Sequence, residues 1–228
     1  MVGAQQLLDV VAHNLANVST NGYKREGVVF SDGFTRLLNA ADGREIGSLG
    51  SGTTMKGQYT VHEVGSLTTT GNPLDVAIQA KRGMFAVQTD NGTRYTRNGA
   101  FTLNSDRELV AKSGLPVLDD RESSIILPTG KIEISISGAV SVDGELVANI
   151  GIFDGAVQKV GNGLYFGQGM QLVDEPNLQS GMIEGSNVNA IEEMIHMIQL
   201  NRIYEMAQKA AQGHDDMTQR LIQSLEGR

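Results

Sequence analysis

The sequence predicts a mainly β protein with α at both ends: an all-β central domain, barrel- or sandwich-like, flanked by N- and C-terminal coiled-coil-forming helices. Three observations carry this. Short apolar runs bounded by turn dipeptides fill the middle of the chain, an amphipathic stretch opens it, and a long uninterrupted helical pattern closes it. The expected layout is a helix over 1–22, an extended connecting segment over 23–71, a β-rich domain over 72–180 and a long helix over 181–228.

Taken in order, Leu8, Val11, Leu15 and Val18 are spaced by threes and fours, with Leu7, Ala12 and Ala16 beside them, so an amphipathic helix is expected from Ala4 to Val18. Asn17 to Gly22 gathers turn formers, and Asn21-Gly22 suits the left-handed backbone that ends a helix. From Tyr23 to Gly71 the chain is rich in Gly, Thr and Ser with weak periodicity, which reads as connecting chain. The β-like runs follow: Leu74–Ile78, Met84–Val87, Ile132–Ile136, Val140–Val142 and Leu146–Ile152. Asn91-Gly92 and Asp143-Gly144 between them are hairpin dipeptides, because primed turns need positive φ at both central positions.

The closing helix is the most specific local signal. Asn189 can accept from the first free backbone N–H groups, Glu192 can reach back, and Glu192 and Glu193 sit where the helix dipole is positive. From Met194 a seam of apolar or small residues runs through 197, 200, 204, 207 and 211 toward Leu221 and Leu225, with no Pro. Roughly 35 helical residues would span about 50 Å at ~1.5 Å each, more than a small domain needs for its own core. Length and seam together predict assembly, with Met194, Tyr204, Leu221 and Leu225 on the seam.

Composition excludes several functions. With 18 basic against 26 acidic residues and a net charge of −8, the phosphate-neutralising surface that nucleic acids and anionic membranes select is not expected. There is no Cys, which removes disulfides, thiolate metal sites and Cys nucleophiles together. His13, His62, His196 and His214 form no close metal-ligand spacing, and Glu193-x-x-His196 is half of a di-metal helix motif with no second copy, so neither a metal nor a cofactor is expected. Gly161-Asn162-Gly163 is a turn rather than a dinucleotide fingerprint, since the glycine spacing is wrong and no βαβ pattern surrounds it. No Gly-x-Ser-x-Gly elbow or Walker loop occurs, and no catalytic residue set is expected.

Three motifs in order resemble those of the axial proteins of the bacterial flagellum. His13-Asn14-Leu15-Ala16-Asn17-Val18-Ser19-Thr20-Asn21-Gly22-Tyr23-Lys24 resembles the family signature that follows the first helix. Gly71 to Gln79 with Tyr95-Thr96-Arg97-Asn98-Gly99-Ala100-Phe101 resembles the opening of its β domain, and Ser186-Asn187-Val188-Asn189 with Arg202-x-Tyr204-Glu205 resembles its C-terminal motif. The likeness covers nearly the whole chain and is to the basal-body rod proteins of the FlgF and FlgG type. The modest β domain speaks against a hook protein. The stretch from Val142 to Phe153 with Val157 to Gly161 is more similar to the proximal rod protein than to the distal one.

Departures are specific. Ala80-Lys81-Arg82-Gly83-Met84-Phe85 stands where the family usually has Gly-Asp-Gly-Phe-Phe, a common turn Gly is replaced by Arg107, and Met1 falls inside the usual first helix. The resemblance implies a structural subunit that polymerises with itself and other rod proteins into a hollow helical drive shaft transmitting motor torque. It also implies a periplasmic rod reached through the flagellar type III export apparatus without a cleaved signal peptide, and neither nucleic acid nor small-molecule substrate. The alternatives are a distal rod or hook-type axial protein, or, from another class, a ligand-binding or enzymatic β domain oligomerised by a helical stalk.

Overall fold

The computed structural model describes residues 2–32, 35–39, 45–50 and 53–226. The chain divides into two compact units. The first comprises Met1–Ala16, Glu26–Tyr59 and Asn189–Arg228, and the second Asn17–Arg25 and Thr60–Val188.

In the first unit, helix α1 (Val2–Ala16) starts and ends two residues earlier than its periodicity suggests, because the turn formers already act at Asn17. Strands β1 (Glu26–Asp32), β2 (Thr35–Asn39), β3 (Glu45–Gly50) and β4 (Thr53–Thr60) occupy most of the segment expected to be connecting chain. They pair β1 with β4 and β2 with β3. In the second unit come β5 (Leu67–Thr69), β6 (Val76–Ile78), β7 (Met84–Thr89), β8 (Gly92–Thr96), β9 (Phe101–Leu103), β10 (Leu109–Ala111), β11 (Ile132–Ile134), β12 (Ala139–Val142), β13 (Glu145–Asn149), β14 (Ile152–Gly161), β15 (Leu164–Leu172), β16 (Leu178–Ser180) and β17 (Met182–Glu184). Helix α2 (Ala190–Glu226) returns to the first unit and packs against α1.

The fold is thus mostly β with a helix at each end, and its centre is a small closed barrel in the order β14-β15-β8-β7. On β7 the period-2 alternation of side chains is apolar on both sides, and both sides are buried. On β7, Phe85 and Val87 enter the larger core with Val76, Phe101, Leu109 and Ile152, while Met84 and Ala86 enter a smaller one with Tyr95, Leu118, Phe153 and Tyr165. Phe85 and Phe101 meet edge to face at 4.9 Å, as do Tyr95 and Phe153 at 5.8 Å. Two short pairs, β16 on β6 and β17 on β5, bring the C-terminal end of the unit back to its beginning.

The turn dipeptides behave in two ways. Asp143 and Gly144 both take positive φ (51° and 87°) between β12 and β13, as a primed turn requires. In the β7–β8 hairpin Thr89 pairs with Gly92, so Asp90 and Asn91 form the turn and Gly92 alone is left-handed. Asn162-Gly163 closes the β14–β15 hairpin with both residues at positive φ, which confirms a turn there. Arg107, at the position of the expected glycine, adopts φ 60°. Its guanidinium offsets the strain by donating to the carbonyls of Leu127 and Pro128.

Candidate functional site

Two features stand out, one in each unit. In the β unit, Glu184 at the end of β17 is 1% exposed and holds two equally buried cations. Its Oε1 accepts from Lys24 Nζ at 2.6 Å and from the backbone N–H of Gly65 at 2.9 Å, and its Oε2 accepts from Arg97 Nε at 2.6 Å. Arg97 spends its remaining donors on the carbonyls of Gly83 (2.5 Å), Ile78 (2.7 Å) and Ala80 (2.5 Å), and Lys24 also donates to Glu63 O (2.6 Å). Burial pushes the Lys24 ammonium below its usual value, against the opposing pull of its bond to Glu184. A buried carboxylate of this kind survives only when it is paired and hydrogen-bonded, and Glu184 is held by both cations and a backbone N–H.

This clasp joins segments separated by up to 160 residues. Lys24 ends the first motif, Arg97 lies in the second, and Glu184 stands two residues before the third begins. Other motif residues cooperate with it. Gly22 donates its N–H to Glu184 O (2.8 Å), and at φ 68° a side chain on it would run into the Arg97–Asn98 backbone. Tyr23 is buried and accepts from Asn187 N (3.3 Å). Asn187 accepts from Arg25 N at 2.7 Å and donates to Val61 O at 2.8 Å and Glu63 O at 3.1 Å, so one side chain ties three separate strands of backbone. Sequence reasoning quoted Lys24 and Arg97 without assigning them a role and passed over Glu184. Charged residues near turns read as solvated unless an isolated Lys and Arg beside apolar strands prompt a search for the carboxylate that would bury with them.

In the helical unit, Asn14 is buried and grips the start of β1, donating to Glu26 O and accepting from Glu26 N, both at 2.9 Å. Asn189 caps α2 by accepting from Ile191 N (3.1 Å), and Glu193 rather than Glu192 is the buried first-turn carboxylate. Val11 is buried and Leu8 and Leu15 partly so, whereas Ala16, Arg202 and Glu205 are exposed. Val18 and Asn17 lie in the turn after α1 and belong to the β unit. At about 100° per residue, Glu193, Leu200, Tyr204 and Ala207 share one face of α2, and these are its less exposed residues.

Ile191, Met194, Ile195, Ile198 and Met206 lie on the opposite face and are 45–67% exposed. In the single chain Met194, which the expected seam includes, is exposed along with Ile195 and Ile198, so α2 is apolar on two sides, and threes and fours fit both. The side chains of Leu221 and Leu225 lie outside the described residues. Among the described residues no cluster of three or more His, Asp or Glu could hold a metal ion, and no helix is long and apolar enough to cross a membrane.

Beside the clasp, still within the β unit, lies a cleft of about 700 Å³ lined by Lys24, His62, Lys81, Arg82, Arg97 and Asp154 among others. Its side chains supply positive charge without a nucleophile–base pair.

Comparison with known proteins gives these features a context. Residues 2–24 match the description "Flagella basal body rod protein", residues 77–148 "Flagellar hook protein FlgE/F/G D1 domain" and residues 179–224 "Flagellar basal body rod FlgEFG protein C-terminal". The chain is 32% identical to the flagellar basal-body rod protein FlgG of Buchnera aphidicola subsp. Acyrthosiphon pisum, over 96% of this chain and 95% of that protein. It is 31% identical to FlgF of Caulobacter vibrioides, over 96% and 91%, and 31% identical to FlgG of Bacillus subtilis, over 97% and 94%. With such identity sustained along almost its entire length, and with its buried clasp built from the same three stretches that the family descriptions recognise or adjoin, this chain belongs to the flagellar basal-body rod protein family.

Proposed function

We propose that this chain is a structural subunit of the flagellar basal-body rod, not an enzyme, and that it occupies the proximal rod. It assembles with itself and other rod proteins into a hollow helical shaft that transmits motor torque. The observation that carries the reading is the second apolar face of α2. A 37-residue helix is about 55 Å long, whereas the 15 residues of α1 reach only about 22 Å, so α1 alone leaves much of α2 uncovered. Beyond Ala207 every described side chain of α2 except Gly213 is exposed.

An exposed stripe of this length is matched by helices of neighbouring subunits, giving a coiled-coil inner layer in which Leu8, Val11, Leu15 and Val18 join Met194, Ile195, Ile198, Tyr204, Leu221 and Leu225. Contacts between unlike patches that do not close into a ring build an open helical polymer. The family signature residues hold the chain ready for this: Asn14 and Asn189 fix the helix ends, and Gly22, Tyr23 and Asn187 fix the β unit. The proximal assignment is supported by the stretch from Val142 to Gly161, now on β12 to β14. The same reading puts the subunit in the periplasm, delivered by the flagellar type III export apparatus without a cleaved signal peptide.

The test is antibody labelling of basal bodies isolated from the source bacterium, viewed by electron microscopy. Label on the rod next to the inner membrane is the expected result. Label further out would transfer the chain to the distal rod or hook, and basal bodies free of label would remove it from the rod.

A further inference from the structure

We propose that the cleft beside the clasp is a socket for a carboxylate of a neighbouring copy of this chain, received by Lys81 and Arg82 at its rim. The inference rests on the polymer reading above and adds a second contact, on the β unit, to the one made by the helices. Lys24 and Arg97 share a single buried carboxylate, Glu184, and both line the cleft. Their other hydrogen bonds go to neutral carbonyls, so these two residues supply field rather than ligands. Lys81 and Arg82 are exposed on the same cleft and make no hydrogen bond or ion pair among the described residues. Asp154 is the one acidic side chain lining it among the described residues.

A cleft in which one sign of charge predominates attracts the opposite sign. A guanidinium at the rim offers a carboxylate two parallel donors. On the cleft wall, burial lowers the pKa of His62 first, and the charges of Lys24, Arg82 and Arg97 lower it further, with Asp154 opposing. The occupant follows from charge complementarity. The chain carries 26 acidic against 18 basic residues, so a neighbouring copy is net negative and complementary in sign to this cationic cleft.

The test treats an equal mixture of ¹⁴N- and ¹⁵N-labelled full-length chain, concentrated to polymerise, with a carbodiimide that joins amines to carboxylates in contact, followed by mass spectrometry. The expected result is a mixed-isotope cross-link from Lys81 to an Asp or Glu of another copy. Lys81→Glu with Arg82→Glu, both at exposed positions, should leave the circular dichroism melt unchanged and cut sedimenting polymer by about tenfold or more through like-charge repulsion. Mixed-isotope links between helices with none from Lys81, links from Lys81 to Asp154 of the same copy alone, or a double variant that polymerises like the parent would each overturn the socket and leave the rod reading standing. Absence of both polymer and mixed-isotope links would overturn the two together.

Discussion

Met84 to Val87 on β7 and Ile191 to Ile198 on α2 are both rich in large apolar side chains, and they end in opposite surroundings. All four β7 residues are buried, two in each core of the β unit, whereas Ile191, Met194, Ile195 and Ile198 stay about half exposed. Strand neighbours on both sides are available to β7 within the chain. The single short helix beside α2 can cover only one of its faces, over part of its length. Apolar composition says that a segment must be covered, and connectivity decides whether its own chain can do so. The β unit buries its apolar strand faces within itself, and the helical unit leaves one apolar face of α2 exposed.

The sharpest way to break this contrast is to place charge on the exposed helix face. Ile195→Asp with Ile198→Asp should abolish sedimenting polymer while the thermal melt moves by no more than about 0.5 kcal/mol, the usual range for surface changes. A large loss of stability would mean that this face is already part of the chain's own core. Next in size is the clasp. Glu184→Ala leaves two buried cations without their carboxylate and should lower the unfolding free energy of the β unit by about 3–5 kcal/mol, read from guanidinium titration. A loss below about 1 kcal/mol would show that water or a rearranged side chain replaces it.

A smaller effect is expected at Asn187. Asn187→Ala removes three side-chain hydrogen bonds to the backbone and should cost about 1–3 kcal/mol, with faster amide exchange at Arg25. The smallest is a titration. The folded pKa of His62 lies below the ordinary 6.5, so the unfolded chain binds that proton more readily. Its contribution to stability therefore rises with pH from the folded value up to 6.5 and is flat above. Nuclear magnetic resonance should find the His62 midpoint below 6.5 and see it climb in Arg82→Gln; an unchanged midpoint would remove Arg82 from the field in the cleft.

Legibility in the sequence follows the same division. Helix caps, alternation and turn dipeptides act between near neighbours, so the terminal helices, the β runs and the turns at Asp143-Gly144 and Asn162-Gly163 could be read directly. The strands β1 to β4 could not, because a segment rich in Gly, Thr and Ser carries little apolar periodicity and its pairing is set by partners elsewhere. The seam on α2 was legible as a spacing and ambiguous as a face: 197, 200, 204 and 207 lie toward the covered side, and Met194 lies with Ile191, Ile195 and Ile198 on the other. The clasp was hidden because Lys24, Arg97 and Glu184 look solvated one at a time and become unusual only when the fold brings them together.

Asn187 has a mechanical meaning as well. The chain passes between its two units four times, and the crossings at 25–26, 59–60 and 188–189 leave the β unit from backbone that Asn187 and the Arg25–Val61 bond hold together. On the proposed rod reading, a twisting load carried by the helices passes through the four crossings, three of which this patch ties together. The bonds share it in parallel, so the patch resists shear as a block where a single tether would peel open one bond at a time.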